Sequence, residues 1–124
     1  MTDLNPKLVI YKGSCHCGAI AFRFGSLEIK DGMRCNCSIC SKKGSIISNF
    51  TIDSATLQID DPDGLMTIYQ FNEKIAKHYF CSQCGIFTFV ETRLNPGEYR
   101  VNLGCIEDID VFNIPVVMFD GTSI

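Results

Sequence analysis

The chain has 124 residues, within the roughly 100–200 that one domain occupies, and a chain of this size buries about two thirds of the surface its unfolded form exposes. Its composition, 46% apolar and 20% charged, is globular, and the longest clean apolar run, residues 114–119 with Pro115 inside it, is far below the roughly 18 residues that cross a bilayer, which excludes membrane insertion. Eleven basic residues against 14 acidic give a net charge of −3, and no basic cluster exceeds Lys42-Lys43, so no nucleic-acid partner is expected.

Residues 1–7 carry no basic segment followed by an apolar stretch and a small-residue cleavage site, so no secretory leader is read and the cytoplasm is the expected compartment. Short strand signals, rich in β-branched and aromatic residues, follow at 8–11 and 19–24, with Cys15 and Cys17 in the bend between them. A short helical turn is expected around 37–43, then strands at 46–51, 56–59, 66–71 and 76–80. Asp60-Asp61-Pro62-Asp63-Gly64 has turn chemistry, and Cys81 and Cys84 sit in the bend before a strand at 86–91. Asn95-Pro96-Gly97 suits a tight hairpin loop before a strand at 99–103, and a last strand is expected at 116–119. Both turn segments are read as antiparallel hairpins. The pattern is mainly β, and with no repeat, linker or composition shift the whole chain, residues 1–124, reads as a single domain.

Eight cysteines are too many for an ordinary core, and seven lie in tight groups: Cys15 and Cys17; Cys35, Cys37 and Cys40; Cys81 and Cys84. Cysteines one or two residues apart rarely bridge each other, because so small a ring strains the torsion about the sulfur–sulfur bond. The same spacing suits zinc, which takes thiolates at about 2.3 Å in a tetrahedron while the turn's own amides hydrogen-bond to the sulfurs. Cys81-Ser82-Gln83-Cys84-Gly85 reads as a zinc knuckle whose trailing glycine can take the positive φ that turns the chain away. Two alternatives stand beside it. An even number of cysteines permits a disulfide framework in an oxidising compartment, and a Cys-x-x-Cys pair can be a redox dithiol, although the β-branched and aromatic residues after Cys84 offer no helix to lower its pKa.

The layout allows the two bends to face each other, so that one zinc on four thiolates would staple segments far apart in the chain. Cys35, Cys37 and Cys40 then form a three-thiolate loop with an open position, the arrangement of catalytic zinc. Cys105 either closes that second site or packs in the core beside Val101, Leu103 and Ile106. His16 and His78 are candidate ligands, with a locally bonded rim histidine as the plain alternative for each.

Three segments carry a resemblance: Gly13-Ser14-Cys15-His16-Cys17-Gly18-Ala19-Ile20-Ala21-Phe22, Cys35-Asn36-Cys37-Ser38-Ile39-Cys40-Ser41-Lys42-Lys43-Gly44, and His78-Tyr79-Phe80-Cys81-Ser82-Gln83-Cys84-Gly85, with Val101-Asn102-Leu103-Gly104-Cys105 closing the pattern. They resemble the motifs of the glutathione-dependent formaldehyde-activating (GFA) family, which also includes centromere protein V. The resemblance implies a β-tent fold of short antiparallel sheets stapled by zinc, shared with type-B methionine sulfoxide reductases. It implies two Zn²⁺ per chain, a structural one on Cys15, Cys17, Cys81 and Cys84 and a catalytic one on Cys35, Cys37 and Cys40. The implied activity is that of a carbon–sulfur lyase resembling S-(hydroxymethyl)glutathione synthase, which joins glutathione and formaldehyde, so the expected partner is a small-molecule thiol such as glutathione. Lys42 and Lys43 would hold substrate carboxylates or offset thiolate charge, or else be solvated loop charges. Two other readings are a zinc-stabilised binding module without catalysis and a lyase acting on another thiol adduct.

Overall fold

A computed structural model describes residues 7–123. Residues 1–6, part of the segment read above as lacking a leader, and residue 124 lie outside the described residues. Among the described residues three sheets organise the chain. The first is built on the hairpin of β1 (Val9–Ser14) and β2 (Ala21–Ser26), with β5 (Gln58–Asp60) added beside β2. Alternation decides its inner face: Tyr11, Phe22 and Phe24 are buried while Lys12 and Arg23 between them point outward.

The largest sheet has the order β4-β9-β8-β7-β6, all antiparallel, from β4 (Ile52–Asp53), β6 (Met66–Tyr69), β7 (Lys77–Cys81), β8 (Phe87–Glu91) and β9 (Glu98–Val101). Its central strand β8 buries Thr88, Phe89 and Val90 in succession. Phe89 packs edge-on against Phe22 of the first sheet, with ring centroids 5.5 Å apart, and tilts against Tyr79 at 5.0 Å. This aromatic contact joins the two sheets through one core that also takes in Tyr11, Phe24, Val101 and Leu103. A second, small cluster forms where the sheets' tips meet, around Cys15, Ile20 and Cys81.

The mainly β reading holds, and strand 116–119 is found as β10 (Val116–Phe119). Two local expectations are corrected, and one strand is added. Segment 46–51 is no strand: Ile47 makes only single bridges to Met33 and Asn102, and the buried Ser48 diverts the backbone by donating its hydroxyl to the Phe50 carbonyl and accepting from the Val101 amide. The turn at 60–64 is not a hairpin; Asp61 accepts the amides of Leu65 and Met66 at 2.9 and 3.0 Å and hands the chain from the first sheet to the large one. β10 pairs in parallel with β3 (Gly32–Cys35), a strand whose Gly-Met-Arg-Cys sequence carries no alternation to announce it. The hairpin at Asn95-Pro96-Gly97 is present between β8 and β9, and the helical turn is α1 (Ser38–Lys43). A 3-10 turn over Leu103–Cys105 follows β9. Among the described residues no helix is long and apolar enough to cross a membrane.

Candidate metal centre

Each of two strand-to-strand bends brings a pair of cysteines to a sheet tip. In the β1–β2 bend the Cys15 amide donates to the Ile20 carbonyl at 3.0 Å and the Gly18 amide to the Cys15 carbonyl at 3.2 Å. The β7–β8 bend repeats this, with Cys81 donating to Ile86 at 3.1 Å and Gly85 to Cys81 at 2.7 Å. So tight a reversal puts the residue after the second cysteine in the left-handed region, and Gly18 (φ 80°) and Gly85 (φ 76°) supply it. The sequence signalled this at Gly85.

The two bends meet. The sulfurs of Cys15, Cys17, Cys81 and Cys84 lie within 4.8 Å of one another, with Cys15–Cys17 and Cys17–Cys81 both at 3.7 Å. Four thiolates about 2.3 Å from a zinc ion make a tetrahedron with edges of about 3.8 Å, so the donor set and its spacing fit that metal. A disulfide needs sulfurs about 2.05 Å apart, and all eight cysteines are free, so the disulfide framework is not what this fold builds. The Ile20 amide donates to the Cys15 sulfur at 3.4 Å. At Cys84 burial raises the thiol pKa, but the amides of Cys17 and Ile86 and the thiols of Cys81 and Cys15 outweigh it and bring it to about 6. One sulfur is therefore poised to ionise even before a cation arrives.

The second group is local. Cys35 ends β3, Cys37 caps α1 and Cys40 stands one turn along it, so that positions three apart share a face; all three sulfurs lie within 4.8 Å and are half-buried. Burial pushes the Cys40 thiol up to about 12, with the Cys37 thiol adding to it, and burial also raises Cys35. The Cys37 sulfur makes no capping hydrogen bond of ordinary geometry. Its pKa nevertheless falls, because the amides of Cys40 and Ile39 and the neighbouring thiols overcome the opposing effect of burial.

The C-terminal segment straps this group, which the sequence did not announce. β10 runs beside β3 with Phe119 opposite Cys35, and the Asn36 amide donates to the Phe119 carbonyl at 3.3 Å. Asn36 Nδ2 donates to Asp120 Oδ1 at 3.1 Å, and Asn36 Oδ1 accepts the amides of Gly121 and Thr122 at 2.8 and 3.2 Å. Gly121 is thereby pressed onto the cysteines: a Cβ there would fall inside contact distance of Cys35 Sγ and 3.1 Å from Cys37 Cβ.

A fixed cation borders the group on another side. Lys43 closes α1, points its ammonium at the Phe87 ring 3.4 Å from its centroid, and donates to His78 Nδ1 at 2.7 Å. An ammonium has no acceptor, so His78 accepts at Nδ1 and its neutral ring carries the proton on Nε2. His78 is only 6% exposed and stacks on Phe71. Burial first, and then the Lys43 charge, lower the His78 pKa to about 4; burial lowers Lys43 to about 8 against the pull of Cys40, Cys37 and Cys35. Lys43, Cys35, Cys40 and Phe87 line one small cavity.

The seven clustered cysteines thus come together as four and three, in the sets read from the sequence. Cys105 joins neither: it is half-buried, its sulfur lies 3.6 Å from the Phe87 carbonyl, and burial followed by the charges of Cys15 and Cys84 raises its pKa to about 12. It therefore lies toward the four-sulfur group and does not close the other. His16 is exposed and in neither group, and His78 is no rim residue but the partner of Lys43. Lys42 and Lys43 part company: Lys42 is exposed beside Tyr69 and Phe71, while Lys43 is not the solvated charge its sequence context suggests.

The fold is found elsewhere. A crystal structure of a Rhodobacter sphaeroides protein superposes with a TM-score of 0.75 at 36% identity, covering 86% of this chain and 99% of that one. A Halomonas elongata protein, provisionally named a glutathione-dependent formaldehyde-activating enzyme, is 35% identical over 83 residues, which are 61% of this chain. That match takes in 52% of the relative, so the chain spans about half the length of the curated protein it resembles. The model of the family described as glutathione-dependent formaldehyde-activating enzyme matches residues 10–119, a stretch that includes both cysteine groups and β10, and the chain belongs to that family.

Proposed function

We propose that the chain catalyses carbon–sulfur bond chemistry between a thiol and formaldehyde, with a structural zinc on Cys15, Cys17, Cys81 and Cys84 and a catalytic zinc on Cys35, Cys37 and Cys40. The observation that carries this is the inequality of the two groups: one offers a complete tetrahedron of sulfurs, the other only three, and two of its cysteines, Cys35 and Cys40, line cavities. The Halomonas relative's name, with its glutathione and formaldehyde, supports the substrate class. Zinc, when bound by three thiolates, supplies a positive centre that lowers the pKa of an entering thiol.

In the reaction the thiol sulfur bonds to the carbonyl carbon of formaldehyde, the carbon–oxygen π pair takes up the proton the thiol gave, and nothing is oxidised or reduced. The chain's own residues orient and balance charge. Lys43, fixed by His78 and Phe87, sets a cation beside Cys35 and Cys40, where a further sulfur anion would otherwise add to the thiolate charge already present. Phe87, Ile47 and Val90 around it keep water out, which strengthens that cation's field. The Gly121 strap closes another side and leaves the cavities as the entry. Eight free cysteines suit a reducing compartment, so the reaction is assigned to the cytoplasm.

The test is exchange of ¹³C-formaldehyde between its hydrate and a hydroxymethyl thioether, followed by NMR with glutathione and with smaller thiols. The zinc-loaded protein accelerates exchange with at least one of them and Cys37→Ser does not. Exchange at the uncatalysed rate for every thiol would leave the zinc-stabilised binding module as the function.

A further inference from the structure

A second cavity, of about 140 Å³, opens on Cys35 and Cys40. Met33, Ile47, Val90 and Phe119 make it largely apolar, and two arginines, Arg93 and Arg100, join Thr92 and Asn95 as its polar lining residues. Neither arginine has a carboxylate within salt-bridge distance among the described residues, and for Arg100 the more distant Cys35 and Glu98 only partly offset the burial that lowers its pKa. Arg93 is exposed. Arg100 is half-buried, and its hydrogen bond to the Ser48 carbonyl at 2.9 Å uses one of the five N–H donors a guanidinium carries. Burial costs such a cation solvation, and an anion held in its planar fork restores it. A larger cleft over β1, β2 and β5 differs: it sets Lys12 and Arg23 against Asp60 and Glu107, has no sulfur, and shows no surplus of either charge.

Size narrows the occupant. A cavity of roughly 150 Å³ holds a molecule like benzene, whereas drug-sized ligands occupy about 300–1,000 Å³. Glutathione is a tripeptide with two carboxylates, an ammonium and two amides, and such polarity would be desolvated against Met33, Val90 and Phe119 without partners.

Resting on the thiol chemistry argued above, we propose that this cleft selects a compact thiol bearing a single carboxylate, with its sulfur at Cys35, Cys37 and Cys40 and its carboxylate on Arg100, aided by Arg93 at the surface. The specificity of this chain is then for short mercapto acids over glutathione.

The full chain is loaded with cobalt and its thiolate-to-metal absorption followed while 3-mercaptopropionate, propanethiol or glutathione is added. The expected half-saturating concentration for 3-mercaptopropionate is at least about tenfold below that of either other thiol, as one charged hydrogen-bonded contact supplies. Arg100→Met removes most of that advantage over propanethiol. Because Arg100 also holds the Ser48 carbonyl, Arg93→Ser at the exposed position is measured alongside and weakens only the carboxylate thiol, by about threefold. Glutathione saturating at or below the concentration needed for 3-mercaptopropionate overturns the specificity while the proposed function stands, and so does equal binding of propanethiol. A cobalt spectrum that no thiol perturbs overturns both.

Discussion

Replacing Gly121 with alanine adds one methyl group against the three-cysteine loop, and the structure says what that methyl meets. Gly121 is not among the positive-φ glycines, so alanine is allowed by the backbone and the effect is purely one of space. The new Cβ would overlap Cys35 Sγ and stand 3.1 and 3.4 Å from Cys37 Cβ and the Cys37 amide. A free thiol could rotate away, but a sulfur committed to a metal cannot, and the segment is held in place by the bonds from Gly121 and Thr122 to Asn36 and by the Phe119–Cys35 register. Either the strap lifts, losing two or three hydrogen bonds of about 0.5–1.5 kcal/mol each, or the overlap strains the loop by the roughly 1–3 kcal/mol of overpacking. The two routes cost about 1–4 kcal/mol locally and leave the two large sheets intact. The expected result is a folded Gly121→Ala protein with a modestly lowered Tm whose metal content after dialysis against a mild chelator falls toward one per chain. Gly25→Ala, where the methyl meets only the mobile end of Ile10, is the control. Gly121→Ala retaining its second metal with wild-type resistance to chelation would refute both the strap and the ligand role of Cys35.

Purified protein should carry two zinc ions per chain, of which a weak chelator removes one first; a single cooperative loss of both with the fold would contradict the unequal groups. Cys81→Ser, at the junction of two sheets, should destabilise by more than about 4 kcal/mol and aggregate, whereas Cys37→Ser should melt near the wild type yet bind no thiol; equal melting losses would erase the distinction between staple and site. His78 also makes a pH-dependent contribution. Its folded pKa of about 4 lies below the unfolded value near 6.5, so the unfolded chain binds the extra proton between them and stability falls as pH drops through that window, by at most about 3 kcal/mol. In His78→Gln that component is absent, so the stability gap between wild type and variant should narrow from about pH 7 to about pH 4.5, and a constant gap in chemical denaturation would show that His78 is not held neutral.

The cysteine groups were legible because their information is local. Two ligands one or two residues apart, followed by glycine at 18 or 85, specify a bend without reference to the rest of the fold, and the flanking strands 19–24 and 86–91 alternate or run apolar strongly enough to be found. What escaped is what depends on distant partners. β3 has no alternation because it is held by β10, 84 residues on, in a parallel pairing that no hairpin signal can announce. Segment 46–51 looks like a strand by composition, and only the burial of Ser48 against Val101 shows why it is not one. In sequence His78 stands beside Cys81, but alternation on β7 turns it toward Lys43 and the other cysteine group. The same holds for Arg100, Gly121 and Asn36, whose residue types are ordinary until β9, β10 and the C-terminal turn bring them to one loop. Such a site is fixed in two stages: short motifs determine where sulfur converges, and long-range pairing determines which charges and walls surround it. The proposed chemistry class therefore follows from the motifs, while the proposed selectivity among thiols rests on residues whose partners lie far away in the chain.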